Sequence, residues 1–151
     1  MRYWLIKSEP SDVSIDSLAM MPQQTIAWYG IRNYQARNFM RDQMRVGDQI
    51  FFYHSSCKKP GIAGIVEVCK LAYPDSTQFD SSSKYFDPKA TTINPRWFNV
   101  DVRFVKKTRE IGIKELRGYP DLINMRILQV GNRLSITPLD PTEWKFILEI
   151  L

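Results

Sequence analysis

From Trp97 to Val105 the chain alternates between two kinds of residue. Phe98, Val100, Val102 and Phe104 fall on one side, and Asn99, Asp101 and Arg103 fall on the other. A period of two marks a strand that buries one face, and it does not fit a helix. Four further short runs, rich in aromatic and branched residues, read as strands: Arg2 to Lys7, Gln49 to His54, Ile62 to Leu71, and Leu134 to Thr137, the last stopped by Pro138. Turn signals at Gly47-Asp48 and Lys59-Pro60-Gly61 lead into two of them.

Helical patterns lie between and after these runs. Ser14 to Met20 is a short one. Tyr34 to Met44 sets Ala36, Phe39, Met40 and Met44 on one side, and Ile111 to Arg117 is a third. The last begins at Asp140 as N-cap, with Pro141 first and Glu143 third, and aims Trp144, Ile147, Leu148 and Leu151 at a core. Strands interrupted in this way, with no regular βαβ rhythm, argue against a Rossmann-type sheet. They predict an α+β fold: a small, mostly antiparallel barrel or strongly curved sheet with flanking helices. At 151 residues, without repeat or linker, one domain is expected. Pro74 to Pro95 lacks periodicity, yet Tyr73, Phe79, Tyr85 and Phe86 argue for a tacked-down loop that walls a site.

Several function classes drop out. No apolar run approaches the ~20 residues of a membrane span, and the N-terminus lacks a leader pattern. An intracellular monomer with no membrane partner is expected, cytoplasmic in a prokaryote and nuclear in a eukaryote. Cys57, Cys69 and the single His54 do not make a zinc tetrad, so no metal and reduced thiols are expected. No P-loop, dinucleotide fingerprint or calcium loop occurs, so no cofactor is expected. The net charge of +5 leans towards polyanions.

Three clusters carry candidate chemistry. Trp28-Tyr29-Gly30-Ile31-Arg32-Asn33-Tyr34-Gln35-Ala36-Arg37 sets aromatic faces, an amide and two guanidiniums around a turn. Such groups suit a flat polar base and its phosphates. Arg37, Arg41 and Arg45 recur every four residues and align along one helix face, to meet phosphates or simply to form a solvated flank. Asn33 also suits an N-cap, and Trp28 a core position. Lys7-Ser8-Glu9-Pro10 ends the first strand, where a hydroxyl and a carboxylate can accept from an exocyclic amine, or form a surface turn. His54-Ser55-Ser56-Cys57-Lys58-Lys59 puts a histidine, hydroxyls and lysines at a hairpin tip, without the partners of a catalytic triad. Gly61 and Gly64 allow close approach to a ligand, or make a turn and a bulge.

Taken in order, these residues resemble the EVE domain, the PUA-like family of thymocyte nuclear proteins. The likeness runs from Tyr3-Trp4-Leu5-Ile6-Lys7-Ser8-Glu9-Pro10 through Trp28 to Arg37, Val46-Gly47-Asp48 and Phe52-Tyr53-His54-Ser55. It continues over Gly61-Ile62-Ala63-Gly64, Tyr73-Pro74-Asp75, Tyr85-Phe86-Asp87-Pro88-Lys89 and Pro95-Arg96-Trp97 to Leu128 through Ser135. The resemblance implies a single domain over 1–151, a PUA-like pseudo-β-barrel of five to six strands with flanking helices. It also implies a pocket for a modified base, flipped out of RNA or DNA. The related YTH domain has a similar Lys-Ser and a cage tryptophan that carries over onto Trp28. Its second cage tryptophan has no clear counterpart in Asn99-Val100-Asp101-Val102.

On this basis the base stacks on Trp28 while Ser8, Asn33 and nearby backbone read its edge. Lys7, Arg32, Arg37 and Lys58 hold phosphates. Glu9, Tyr29, Tyr34, His54, Ser55, Tyr73 and Asp75 complete the expected nucleic-acid site, which has no catalytic residue. Two alternatives stay open. One is a hydrolase of modified nucleosides on a similar ASCH-type scaffold, using Glu9, Asp75 or Lys7. The other is a peptide-binding domain.

Overall fold

Four consecutive apolar residues lie in each of Tyr3–Ser8 and Gln49–His54, the pattern of strands covered on both faces. The two lie side by side and parallel, with Tyr3 opposite Gln49 and Ser8 opposite His54. The computed structural model, which describes residues 1–151, joins six strands in one mixed sheet. They are β1 (Tyr3–Ser8), β2 (Thr25–Ala27), β3 (Gln49–His54), β4 (Gly61–Pro74), β5 (Phe98–Gly112) and β6 (Ile136–Leu139). Their order is β2-β5-β4-β3-β1-β6, and every pairing except β1 with β3 is antiparallel. The sheet does not close into a hydrogen-bonded ring. Four register shifts interrupt the pairing of β4 with β5, and bulges of this kind bend and twist a strand. Residues that follow β1 and residues that follow β2 thereby come to line one pocket. The α+β expectation holds, as a curled sheet with open edges.

A core lies on each face. On one side Trp4, Ile6, Ile50, Phe52, Val66 and Val100 meet α1 (Ile15–Ala19) and α2 (Tyr34–Asn38), which continues as a π-helical turn over Phe39–Gln43. On the other, Leu5, Phe51, Ile62 and Ile111 meet α3 (Ile113–Arg117) and α4 (Pro141–Ile150). The start of α4 is as expected: Asp140 and Glu143 form a reciprocal capping box with Pro141 between them. Leu148 departs from expectation and is exposed. Pro138 also departs, because it sits inside β6 rather than ending it. That is tolerated because β6 is an edge strand. β2 was not expected at all; three residues are too short to leave a period.

Two hydrogen-bonded anchors hold the elements in register. The buried Asp48 carboxylate accepts from the Arg2 backbone at 3.0 Å, the Trp4 indole at 3.1 Å and the Arg45 backbone at 3.0 Å. It thus joins β1 to the end of the π-helical turn. His54 Nε2 accepts the backbone N–H of Ile15 at 3.1 Å, fixing the start of α1. Burial holds the His54 imidazole below its ordinary value, against the pull of Glu110 and Asp16 and with a smaller push from Lys107. Gly64 packs beneath the same Ile15, where a Cβ would come within 2.5 Å of its side chain. Close approach there serves packing rather than a ligand.

Asp48→Ala leaves the Trp4 N–H buried without a partner, so a loss of about 3 kcal/mol in urea unfolding is expected. His54 is the only histidine. Its neutral form is the one that accepts from Ile15, so the unfolded chain takes up the proton first as pH falls. Stability is therefore expected to be full above pH 6.5 and to decline below it. The urea midpoint of wild type should fall between pH 7 and 5.5, and that of His54→Gln should fall less.

Candidate nucleic-acid interface

The Trp28–Arg37 segment leaves β2 through a tight turn. Trp28 donates its backbone N–H to Val100 O at 2.8 Å and sets its ring edge-on to Phe52, with centroids 5.8 Å apart. It is largely buried, so it belongs to the core and to the pocket at once. Gly30 follows at φ +85°, in the left-handed region. A Cβ there would lie 2.7 Å from the ring of Tyr85, so only glycine lets the long loop close over this turn.

What holds the loop is a buried carboxylate. Asp75 is fully buried and accepts from Gly30 N at 2.8 Å, Arg32 Nη1 at 3.1 Å, and Thr77 through its N–H at 2.8 Å and its hydroxyl at 2.5 Å. Burial pushes its affinity for a proton up, but these donors together hold it below the usual carboxylate range. Arg32 has all five N–H groups engaged, by Tyr85 O twice, Ile31 O, Asp75 and Thr77 Oγ1. Gln78, also buried, bridges Asp75 O and Trp97 O. Asp87 receives Trp97 Nε1 at 2.7 Å. The loop is thus clamped along its length, and of its aromatic residues Tyr85 walls a cavity, whereas Tyr73, Phe79 and Phe86 do not.

The resulting pocket has a volume of about 350 Å³. Trp28, Ile26, Val13 and Ile31 supply apolar surface, and Tyr29 and Tyr85, in edge-on contact with centroids 5.9 Å apart, line it together. Lys7, Ser8, Glu9 and Asp12 line it from the end of β1, Ala27 and Gly30 from the turn, and Lys84 from the loop. Ser8 donates its hydroxyl proton to Val13 O at 2.5 Å, so it presents lone pairs to any further partner. Burial lowers the affinity of Lys7 for its proton.

Five of the expected site residues therefore meet here: Lys7, Ser8, Glu9, Trp28 and Tyr29. The others stand elsewhere. Asn33 caps α2, its Oδ1 accepting from Ala36 N at 3.0 Å. Arg32 and Asp75 form the clamp behind Gly30. His54 anchors α1, and Ser55 gives its backbone N–H to Ser8 O. Lys58 is exposed and does not line the pocket. Tyr73 donates to Asp101 at 2.6 Å. Tyr34 stacks on Trp97 at 4.8 Å, with Arg37 above its ring at 4.7 Å. Asp12, Val13, Ile26, Ala27 and Lys84 were not singled out in the sequence. Lys84, beside Tyr85 in the aromatic loop, and Ala27, beside Trp28, had a signal next to them.

The EVE domain model matches residues 2–150. Human thymocyte nuclear protein 1 is 45% identical over 98% of this chain, which spans 73% of its length. The structure of human THYN1 protein in complex with 5-methylcytosine-containing DNA superposes with a TM-score of 0.92 at 44% identity, covering 99% of this chain and 97% of that one. The YTH domain of the Zygosaccharomyces rouxii MRB1 protein shares the fold, with a TM-score of 0.56 at 16% identity over 99% of this chain and 85% of that one. A match from the second residue to the last but one, on a sheet that superposes this closely, leaves one conclusion: this chain belongs to the EVE domain family.

Proposed function

We propose that this protein binds nucleic acid by taking one modified base, turned out of its strand, into the pocket floored by Trp28. The observation that carries the reading is the composition of that pocket: one largely buried indole, two tyrosine rings and a polar rim, in a volume within the range of small-ligand sites. The complex of human THYN1 protein with 5-methylcytosine-containing DNA supports it and makes modified cytosine in DNA the first ligand to try. Turning a base out of its stack costs a few kcal/mol, and aromatic stacking returns about 1–3 kcal/mol per base. Binding is then modest, and discrimination falls to the rim.

At that rim Ser8, Glu9 and Asp12 offer acceptors, while Lys7 and Lys84 offer donors and positive charge. An exocyclic amino group satisfies the acceptors, and the flanking phosphate meets the lysines. Asp75 is saturated within the clamp, which removes it from acid–base chemistry in the hydrolase alternative. Glu9 and Lys7 remain for that alternative, so turnover is measured directly.

Trp28→Ala and Tyr29→Ala are expected to erase the preference for a 5-methylcytosine strand over its unmodified twin. Titration of both variants by anisotropy checks this. Tyr29 is half exposed, so its removal tests the pocket without emptying the core. Equal preference in folded Trp28→Ala and wild type rules the stacking model out. Modified nucleosides incubated with the protein are expected to return unchanged by mass spectrometry. Failure to bind any oligonucleotide at low salt would point to a peptide ligand instead.

A further inference from the structure

Beyond the Tyr85 wall, two guanidiniums gather around one exposed ring. Tyr34 lies on Trp97, whose ring is also 5.2 Å from the Arg32 guanidinium that holds Tyr85 in place. Arg37 stands 4.7 Å from the Tyr34 centroid, and Arg96 stands 5.7 Å from it with Nη2 on the Tyr34 hydroxyl. Arg41 follows one turn along, over Phe98. Their counter-ions are unequal. Arg41 is held by both oxygens of Asp42, and Arg96 by Asp87 at 3.1 Å. Arg37 has no carboxylate: Asn38 Oδ1 accepts from its Nε and Nη2, and Arg96 O from its Nη1. Two of its five N–H groups stay uncommitted. A partly buried cation beside two others, hydrogen-bonded only to neutral oxygens, is less well compensated than either neighbour and has donors left for an anion. Burial, with the neighbouring Arg41 and Arg96, depresses its affinity for a proton, and Tyr34 and Asp42 offset only part of that.

We propose that Arg37, Arg96 and Tyr34 form a second anion site, distinct from the pocket, that takes a backbone phosphate of the strand whose base the pocket holds. This rests on the pocket reading above. Continuity through Tyr85, Arg32 and Trp97 gives the strand its course: from the pocket mouth, over the clamped loop, to Tyr34. The site is blind to base identity, because phosphate contacts position a strand without reading it.

The test is anisotropy titration of a short labelled single strand with a central 5-methylcytosine, and of its unmodified twin, over a range of salt. Arg37→Gln is expected to weaken both strands by the same factor. It should also reduce the slope of log affinity against log salt by about 0.7, the share of one single-strand phosphate. Arg37→Lys should restore the slope, and Arg117→Gln, on α3 across the sheet, should leave it alone. An unchanged slope in folded Arg37→Gln overturns the second site and leaves the pocket untouched, as does an equal loss in Arg117→Gln. A normal loss in Arg37→Gln from a wild-type protein that never prefers the methylated strand upholds the anion site and overturns the pocket.

Discussion

The site exists because a carboxylate was placed where water cannot reach it. Removing Asp75 from solvent costs several kcal/mol unless donors surround it, and the donors that do so come from two segments far apart in the chain. Gly30 and Arg32 arrive from the turn after β2, and Thr77 arrives from the loop. Satisfying one buried charge therefore fixes the turn against the loop. Tyr85 then lies on the only kind of residue at position 30 that admits it. The Tyr85 wall of the pocket follows from that closure.

The turn also explains why Trp28 serves two ends. Its backbone extends the β2 pairing onto β5, its ring packs edge-on against Phe52, and its remaining surface meets the cavity. A ring held this way has little rotational freedom left to lose on contact with any ligand in the cavity. The same economy separates the two arginines that look alike in the sequence. Arg32 is saturated by the protein, while Arg37 retains unspent donors.

Much of this was legible in the residues, and what escaped did so for physical reasons. Alternation in β5, the apolar runs of β1 and β3 and the capping box of α4 are local signals that mark those elements, though β5 runs on to Gly112 and takes in Ile111, where the helix pattern began. Lys7, Ser8, Glu9, Trp28 and Tyr29, singled out because each sits at an element's end beside residues of unusual chemistry, do line one cavity. The roles of Arg32, Asp75 and His54 were not legible. A guanidinium that meets a phosphate and one that meets a buried carboxylate 43 positions away read the same in a sequence. Asn33 shows the converse: its capping role was as plain as its binding role, and local geometry chose the cap. β2 was missed because three residues carry no period, and with it went Ile26 and Ala27.

Pro138 has a consequence for the molecule among its copies. The bond from Lys7 N–H to Ser135 O sets the alternation of β6, so that the nitrogen of Pro138, two pairs beyond Ile136, faces outward. An incoming strand would find no donor there. The β6 border of the sheet thus lacks one donor for strand addition, a safeguard against aggregation at one of the two edges of a fold that never closes on itself.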